Sequence, residues 1–211
     1  MSVNRMQIDL GANFVRAQMP GDGVLDQTQV FPITTAGAGT LTAAAMVAGI
    51  VDRSGPAGNY NETLDTADNL MAANPQFSAG DSFEFWYRNT VAFIATLVVA
   101  EGAELVANTA VAASKVRRYL VTILANARRQ VFNASTTNVS PTITGLTAAQ
   151  AQTLVPGMGV SGTGISAATN VLAVNSSTGV ITLTANATAT GTVPLTFFPR
   201  YNIKGISSAD L

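Results

Sequence analysis

The sequence predicts a mainly β protein: a jelly-roll-like β-sandwich with two short helices and an inserted small β module. Three observations predict it. Short β-branched and aromatic runs recur, with period-two alternation in Ser82–Tyr87 (SFEFWY) and continuous apolar character in Ala92–Val99 and Tyr119–Leu124. Only two segments, LTAAAMVAG and TADNLMAANP, carry helix-type signals with capping residues. From Gln130 to Pro199 there is not one Asp, Glu, Lys or Arg, whereas charges before that stretch are ordinarily spaced. Many short strands with few helices argue for a sandwich, and an abrupt change in charge marks a module.

In chain order, Val24–Ile33 (VLDQTQVFPI) reads as a first strand. Thr40 or Thr42 can cap the first helix, which Gly49 suits as a stop. GIVDRSGPAGNYNETL reads as two strands around a Gly-Pro turn. Thr66 can cap the second helix, with Asp68 near its positive end and Pro75 after it. The apolar strands above follow. Sequence flanking the uncharged stretch, VRRYLVTILANARRQ and LTFFPRYNIKG, also reads as strand. The expected organisation is a body formed by residues 1–132 plus 194–211, with residues 133–193 inserted. Within the insert, VLAVN and VITLTA flank an SSTG turn as a hairpin, TGTVPLTFF returns to the body, and TAAQAQTLV offers a helical turn or two.

Composition narrows the chemistry. The chain has 211 residues, 47% hydrophobic and only 11% charged, with net charge −1; an average soluble domain carries about 25% charged residues. Nothing in that balance points to nucleic acid or an anionic membrane as partner. Without cysteine or histidine the chain can form no disulfide, thiolate metal site or Ser–His–Asp triad. No metal or cofactor is expected. MSVNRMQIDLGANF lacks the apolar core of a secretory leader, and Val91–Ala100 is too short to span a bilayer, so synthesis in a cytoplasm is expected.

The motifs divide into chemistry and geometry. GMGVSG (157–162) fits G-x-G-x-x-G, the spacing that cradles a pyrophosphate. That use needs a helix after the glycines and an acid about 20 residues on. Here β-type sequence follows and no such acid occurs, so Gly157, Gly159 and Gly162 read as residues of tight connections. Three acidic groups, Glu62/Asp65/Asp68, Asp81/Glu84 and Glu101/Glu104, could in principle run glycoside hydrolysis or hold Ca²⁺. Their positions beside a helix start, in a turn and on a polar strand face favour solvated roles, and no EF-hand spacing is present. Lys115, Arg117, Arg118, Arg128 and Arg129 flank one apolar strand, as solvated strand ends or as partners for an acidic subunit. Trp86 with Phe83, Phe85 and Tyr87 reads as core on one face, and the other face needs a cover. The N-x-S/T triplets at Asn61, Asn133, Asn138, Asn175 and Asn186 read as chance matches.

Two stretches carry a resemblance. VPGMGVSGTGISAATNVLAVNSSTGVITLTANATATGTVPLTF, over about Leu154–Phe197, resembles a β module of tailed-bacteriophage structural proteins: G-M-x-V-S-G-T-G-I, a V-x-x-V strand, a turn, I-T-L, then A-T-A-T-G. More loosely, Thr34–Leu124 is similar to a phage virion pattern, in which a T-A-A helix leads to G-I-x-x-R, a D-T-x-x-A helix and a G-D-S-F-E-F strand. The resemblance implies a virion component and transfers no catalytic residues. The expectation is a capsid decoration or cement protein on the capsid exterior, not an enzyme, that binds the major capsid protein as a homotrimer. A tail, fibre or receptor-binding component is the alternative, and a carbohydrate-active enzyme using the acidic pairs a third reading. The residues expected at a contact are Trp86, Tyr87, Arg117, Arg118, Arg128, Val160 and Ile165.

Overall fold

The computed structural model describes residues 29–107 and 109–210, together with two short antiparallel strands, β1 (Gln7–Asp9) and β2 (Phe14–Arg16). Then follow β3 (Gln29–Ile33), β4 (Gly39–Leu41), α1 (Ala43–Ala48), β5 (Gly49–Arg53), β6 (Tyr60–Leu64), α2 (Ala67–Ala73), β7 (Ser82–Asn89), β8 (Ala95–Val98), β9 (Ala103–Ala107), β10 (Ala110–Val111) and β11 (Lys115–Ala125). The remaining elements are β12 (Gln130–Thr136), β13 (Thr142–Ile143), α3 (Ala148–Ala151), β14 (Gly159–Gly162), β15 (Val171–Asn175), β16 (Val180–Leu183), β17 (Gly191–Phe198) and β18 (Arg200–Asp210). The protein is mainly β with few short helices, as the alternation predicts. Of the expected first strand, Gln29–Ile33 is seen and residues 24–28 lie outside the described residues.

The chain divides into two compact units. Unit 1 comprises Met1–Phe77, Asp81–Thr122 and Asn202–Leu211; unit 2 comprises Ser78–Gly80 and Ile123–Tyr201. Unit 2 is wider than the expected 133–193 insert. The reason is that the core is set by strand pairing rather than by charge: β12 pairs with β17 from Gln130↔Phe197 onward, and Ala125, Leu195 and Phe197 are buried in the same core.

Unit 1 has a six-stranded sheet, β3-β5-β7-β11-β18-β9, and a four-stranded sheet, β10-β8-β6-β4. From β3 to β8, successive strands alternate between the two. Each connection carries the chain to the other layer, so strands that return to a layer run in the same direction. Hence β3, β5 and β7 pair parallel, as do β4, β6 and β8, where a jelly roll would fold back antiparallel. For the same reason β5 and β6, which flank the Gly-Pro turn, do not form a hairpin with each other. Inward residues follow period two: Phe83, Phe85 and Tyr87 on β7 and Tyr119 and Val121 on β11 are buried, with Phe85 stacked on Tyr119 at 5.3 Å.

The helices start and stop where their caps dictate. The Thr42 hydroxyl accepts from Ala45 N, and Gly49 ends α1 at φ 97°. The Thr66 hydroxyl accepts from Asn69 N at the start of α2. Asp65 serves both helix starts, accepting from Ala43 N (2.8 Å) through one oxygen and from Thr66 N (2.9 Å) through the other.

A polar cluster lies inside unit 1. Arg53 of β5 and Glu62 of β6 form an ion pair with both side chains at 0% exposure. The Arg53 guanidinium also donates to the carbonyls of Thr35 (2.6 Å), Ser54 (2.8 Å) and Gly37, pinning the β3–β4 connection. Tyr60 donates to Asn89 Oδ1 at 2.8 Å, and Asn89 Nδ2 donates to the carbonyls of Phe93 and Ala112. Burial pushes the Tyr60, Tyr87 and Tyr119 hydroxyls above their ordinary range. Burial likewise pushes the Glu62 carboxyl up, with Arg53 pulling it back in part.

Unit 2 contains two three-stranded sheets, β12-β17-β14 and β13-β16-β15. The bridge Ser135↔Thr144 joins β12 to the β13 side, and Gly159↔Asn170 joins β14 to the β15 side. The sheets are thus stitched along both edges into a six-stranded ring, and each of its strands has a neighbour on either side. Ile143, Leu146, Met158, Val160, Ile181 and Leu195 are among the residues of its core. The expected helical turn is α3, closed by a capping box between Thr147 and Gln150. The expected hairpin is β15–β16, with Gly179 at φ 71° in its turn.

Candidate interaction surfaces

The outer face of the six-stranded sheet in unit 1 is built by register. Val30, Ile50, Trp86 and Arg118 form one row across β3, β5, β7 and β11. The next row is Pro32, Asp52, Arg88 and Val116, and Leu120 stands opposite Glu84 on the other side. Trp86 is 38% exposed and Val30 47%. The Arg118 guanidinium lies over the Trp86 ring, 5.6 Å from its centre, and reaches Glu84 at 3.4 Å. Arg88 binds Asp52 through two hydrogen bonds, at 3.0 and 2.5 Å. An indole covered by a cation and flanked by two ion pairs is an amphipathic contact surface.

Unit 2 exposes a different chemistry, because the strands of its two three-stranded sheets, β12 to β17, carry no ionisable side chain. Val131 on the outer side of β12 is 59% exposed. Leu172, also 59% exposed, sits at a β-bulge: Val171 pairs with Leu183 and Ala173 with Thr182, so Leu172 is the unpaired extra residue. Val139 is 72% exposed and adopts φ 60°, a conformation that a β-branched residue takes only under constraint. The constraint is visible: Val139 N donates to Ala187 O, Ala187 N donates to Ser140 O, and Asn138 N donates to the Thr190 hydroxyl, each at 2.8 Å. These loops lie at the end of the ring opposite the termini of β12 and β17 by which the chain joins it.

The structure separates the residues expected at a contact. Trp86 and Arg118 come together on the outer sheet face, and Arg128 is exposed. Arg117 and Ile165 are half-buried, Ile165 packing against the unit 2 core. Tyr87 and Val160 are corrections. Both point inward on their strands and are buried, Tyr87 in unit 1 and Val160 in unit 2, so neither can meet a partner. Trp86 is likewise not on the face of Phe83 and Phe85, since an even-numbered residue of β7 points outward. Sequence reasoning missed Val131, Val139 and Leu172. Continuous neutrality pointed to their region, but a bulge and a left-handed valine leave no sequence mark.

The glycine motif is packing. Gly159 begins β14, and a Cβ there would lie 2.1 Å from the Phe198 ring. Gly157 and Gly162 have φ of 91° and 150°. The fingerprint's helix is replaced by a strand, so the backbone amides that would cradle a phosphate are not gathered. Of the carboxylates, Glu62 is the buried partner of Arg53 rather than a solvated group beside a helix. Among the described residues no three His, Cys, Asp or Glu side chains gather as metal ligands would. Among the same residues no helix is long and apolar enough to cross a membrane.

No protein-family model, curated protein or solved structure matches this chain.

Proposed function

We propose that this protein decorates and cements the capsid of a tailed bacteriophage, binding the outside of the major capsid protein shell as a trimer. The observation that carries the reading is the uncharged run from Gln130 to Pro199, whose surface holds Val131, Val139 and Leu172 in the open. A monomer in solution gains nothing from such a surface and risks association. A permanent shell component gains from it. Covering apolar area yields about 25 cal/mol per Å², and a contact without charges avoids the cost of several kcal/mol for each buried unpaired ion. The resemblance of Leu154–Phe197 to a phage structural module supports the same reading.

The mechanism is mass action. A protein that binds only the assembled shell stabilises it by RT ln(1 + [L]/Kd). The test mixes purified protein with empty heads and, separately, with tails of the phage that encodes it, and images both by electron microscopy. Regular density on heads is expected. Binding to tails alone would move the protein to a tail or receptor-binding role and refute the cement reading.

A further inference from the structure

We infer that the outer face of the six-stranded sheet is a twofold contact between copies of this chain, with Trp86 at its centre and Glu84 of each copy meeting Arg88 of the other. After Ser82, the outward residues of β7 are Glu84, Trp86 and Arg88, an acid, an aromatic and a base two residues apart. Their spacing is about 6.7 Å from one to the next along a strand. Consider two such faces apposed about an axis that runs through Trp86, in the sheet and across its strands. The operation reverses strand direction. It sets Trp86 on Trp86 and brings Glu84 over Arg88 twice.

The neighbouring strands fit the same operation. On β11, Leu120 stands beside Glu84 and Val116 beside Arg88, so Val116 of one copy meets Leu120 of the other. Val30 and Ile50 share the axial row with Trp86 and meet their own counterparts, apolar on apolar. Arg118 also starts from that row, and its guanidinium covers the Trp86 ring, 5.6 Å from its centre, so its charge stays at the axis and is balanced there by Glu84 at 3.4 Å. Self-complementarity of this kind is what a twofold interface requires. An apposition parallel to the strands would instead set Glu84 on Glu84 and Arg88 on Arg88. A second copy is therefore the occupant whose charges match. The inference does not depend on the virion reading, and a trimer formed through another surface would be joined by it into a hexamer.

The experiment uses the full chain and measures mass by sedimentation equilibrium. Glu84→Arg and Arg88→Glu each place like charges across the axis, and both sites lie on the solvent side of the sheet. Each variant alone is expected to show half the wild-type assembly mass with unchanged circular dichroism. An equimolar mixture of the two is expected to restore the full mass, because each heterologous pair regains both attractions. The inference is overturned if the wild-type protein is a monomer, if either variant keeps the wild-type mass, or if the mixture stays at half mass.

Discussion

Arg53 and Glu62 join the two layers of unit 1 through an ion pair wholly withdrawn from solvent. Arg53 is held there by the carbonyls of Thr35, Gly37 and Ser54 as well as by Glu62. Removing one member leaves the other charged and buried, at a cost of about 3–5 kcal/mol. Glu62→Gln is expected to lower the urea midpoint of unit 1 accordingly. The double variant Arg53→Met/Glu62→Leu is expected to lose less than Glu62→Gln alone.

Gly159 has ordinary backbone but no room, since an added Cβ would fall 2.1 Å from the Phe198 ring. Gly159→Ala is expected to destabilise unit 2 by about 1–3 kcal/mol. Adding Phe198→Ala to Gly159→Ala is expected to cost less than the two single effects combined, because the second change removes the obstacle. Thermal melting of the three variants measures this coupling.

The buried tyrosines set the alkaline limit. Tyr60, Tyr87 and Tyr119 have hydroxyl pKa values raised in the folded state by burial. The folded chain therefore keeps these protons after the unfolded chain begins to lose them near pH 10. Their contribution to stability is complete below pH 10 and declines as pH rises from there towards the folded values. The slope is up to about 1.4 kcal/mol per pH unit for each tyrosine. Tyr87→Phe is expected to reduce the slope by about half a proton at pH 10, approaching one proton by about pH 11, in denaturant titrations between about pH 9 and 11.

Val139 holds a strained conformation in the open. Val139→Asn is expected to stabilise unit 2 by about 1 kcal/mol, because Asn tolerates a left-handed backbone. The same change is expected to weaken head binding. A variant that melts higher and binds less separates the role of this side chain from its cost to the fold.

Much of this architecture was legible in the sequence. Thr42 and Thr66 announced both helices, Gly49 the end of the first, and the SSTG turn the β15–β16 hairpin, because caps and turns are local chemistry. The parallel winding of β3 to β8 was not legible, since period two fixes which side of a strand is buried but not which strand lies beside it. The boundaries of unit 2 were misplaced because charge reports solvent contact, whereas Ala125, Leu195 and Phe197 belong to its core by packing. The Arg53–Glu62 pair had a readable signal. Glu62 is in phase with buried Tyr60 and Leu64, and Arg53 with buried Val51. Weight given to residue type over phase placed Glu62 at the surface. Of the interaction surfaces, Trp86 and Arg118 were found through their strand, whereas Leu172 is turned outward by a bulge that composition does not reveal.

The central claim is that the uncharged surface presented by residues 130–199 is covered in the assembled particle. The chain contains no cysteine, so single cysteines at Val131, Val139 and Leu172 give a clean footprint. Maleimide labelling rates would be measured on the free protein and after binding to empty heads. All three sites are expected to label rapidly when free, and at least one to be protected on the particle. Rapid labelling of all three on particles that demonstrably carry the protein would contradict the account.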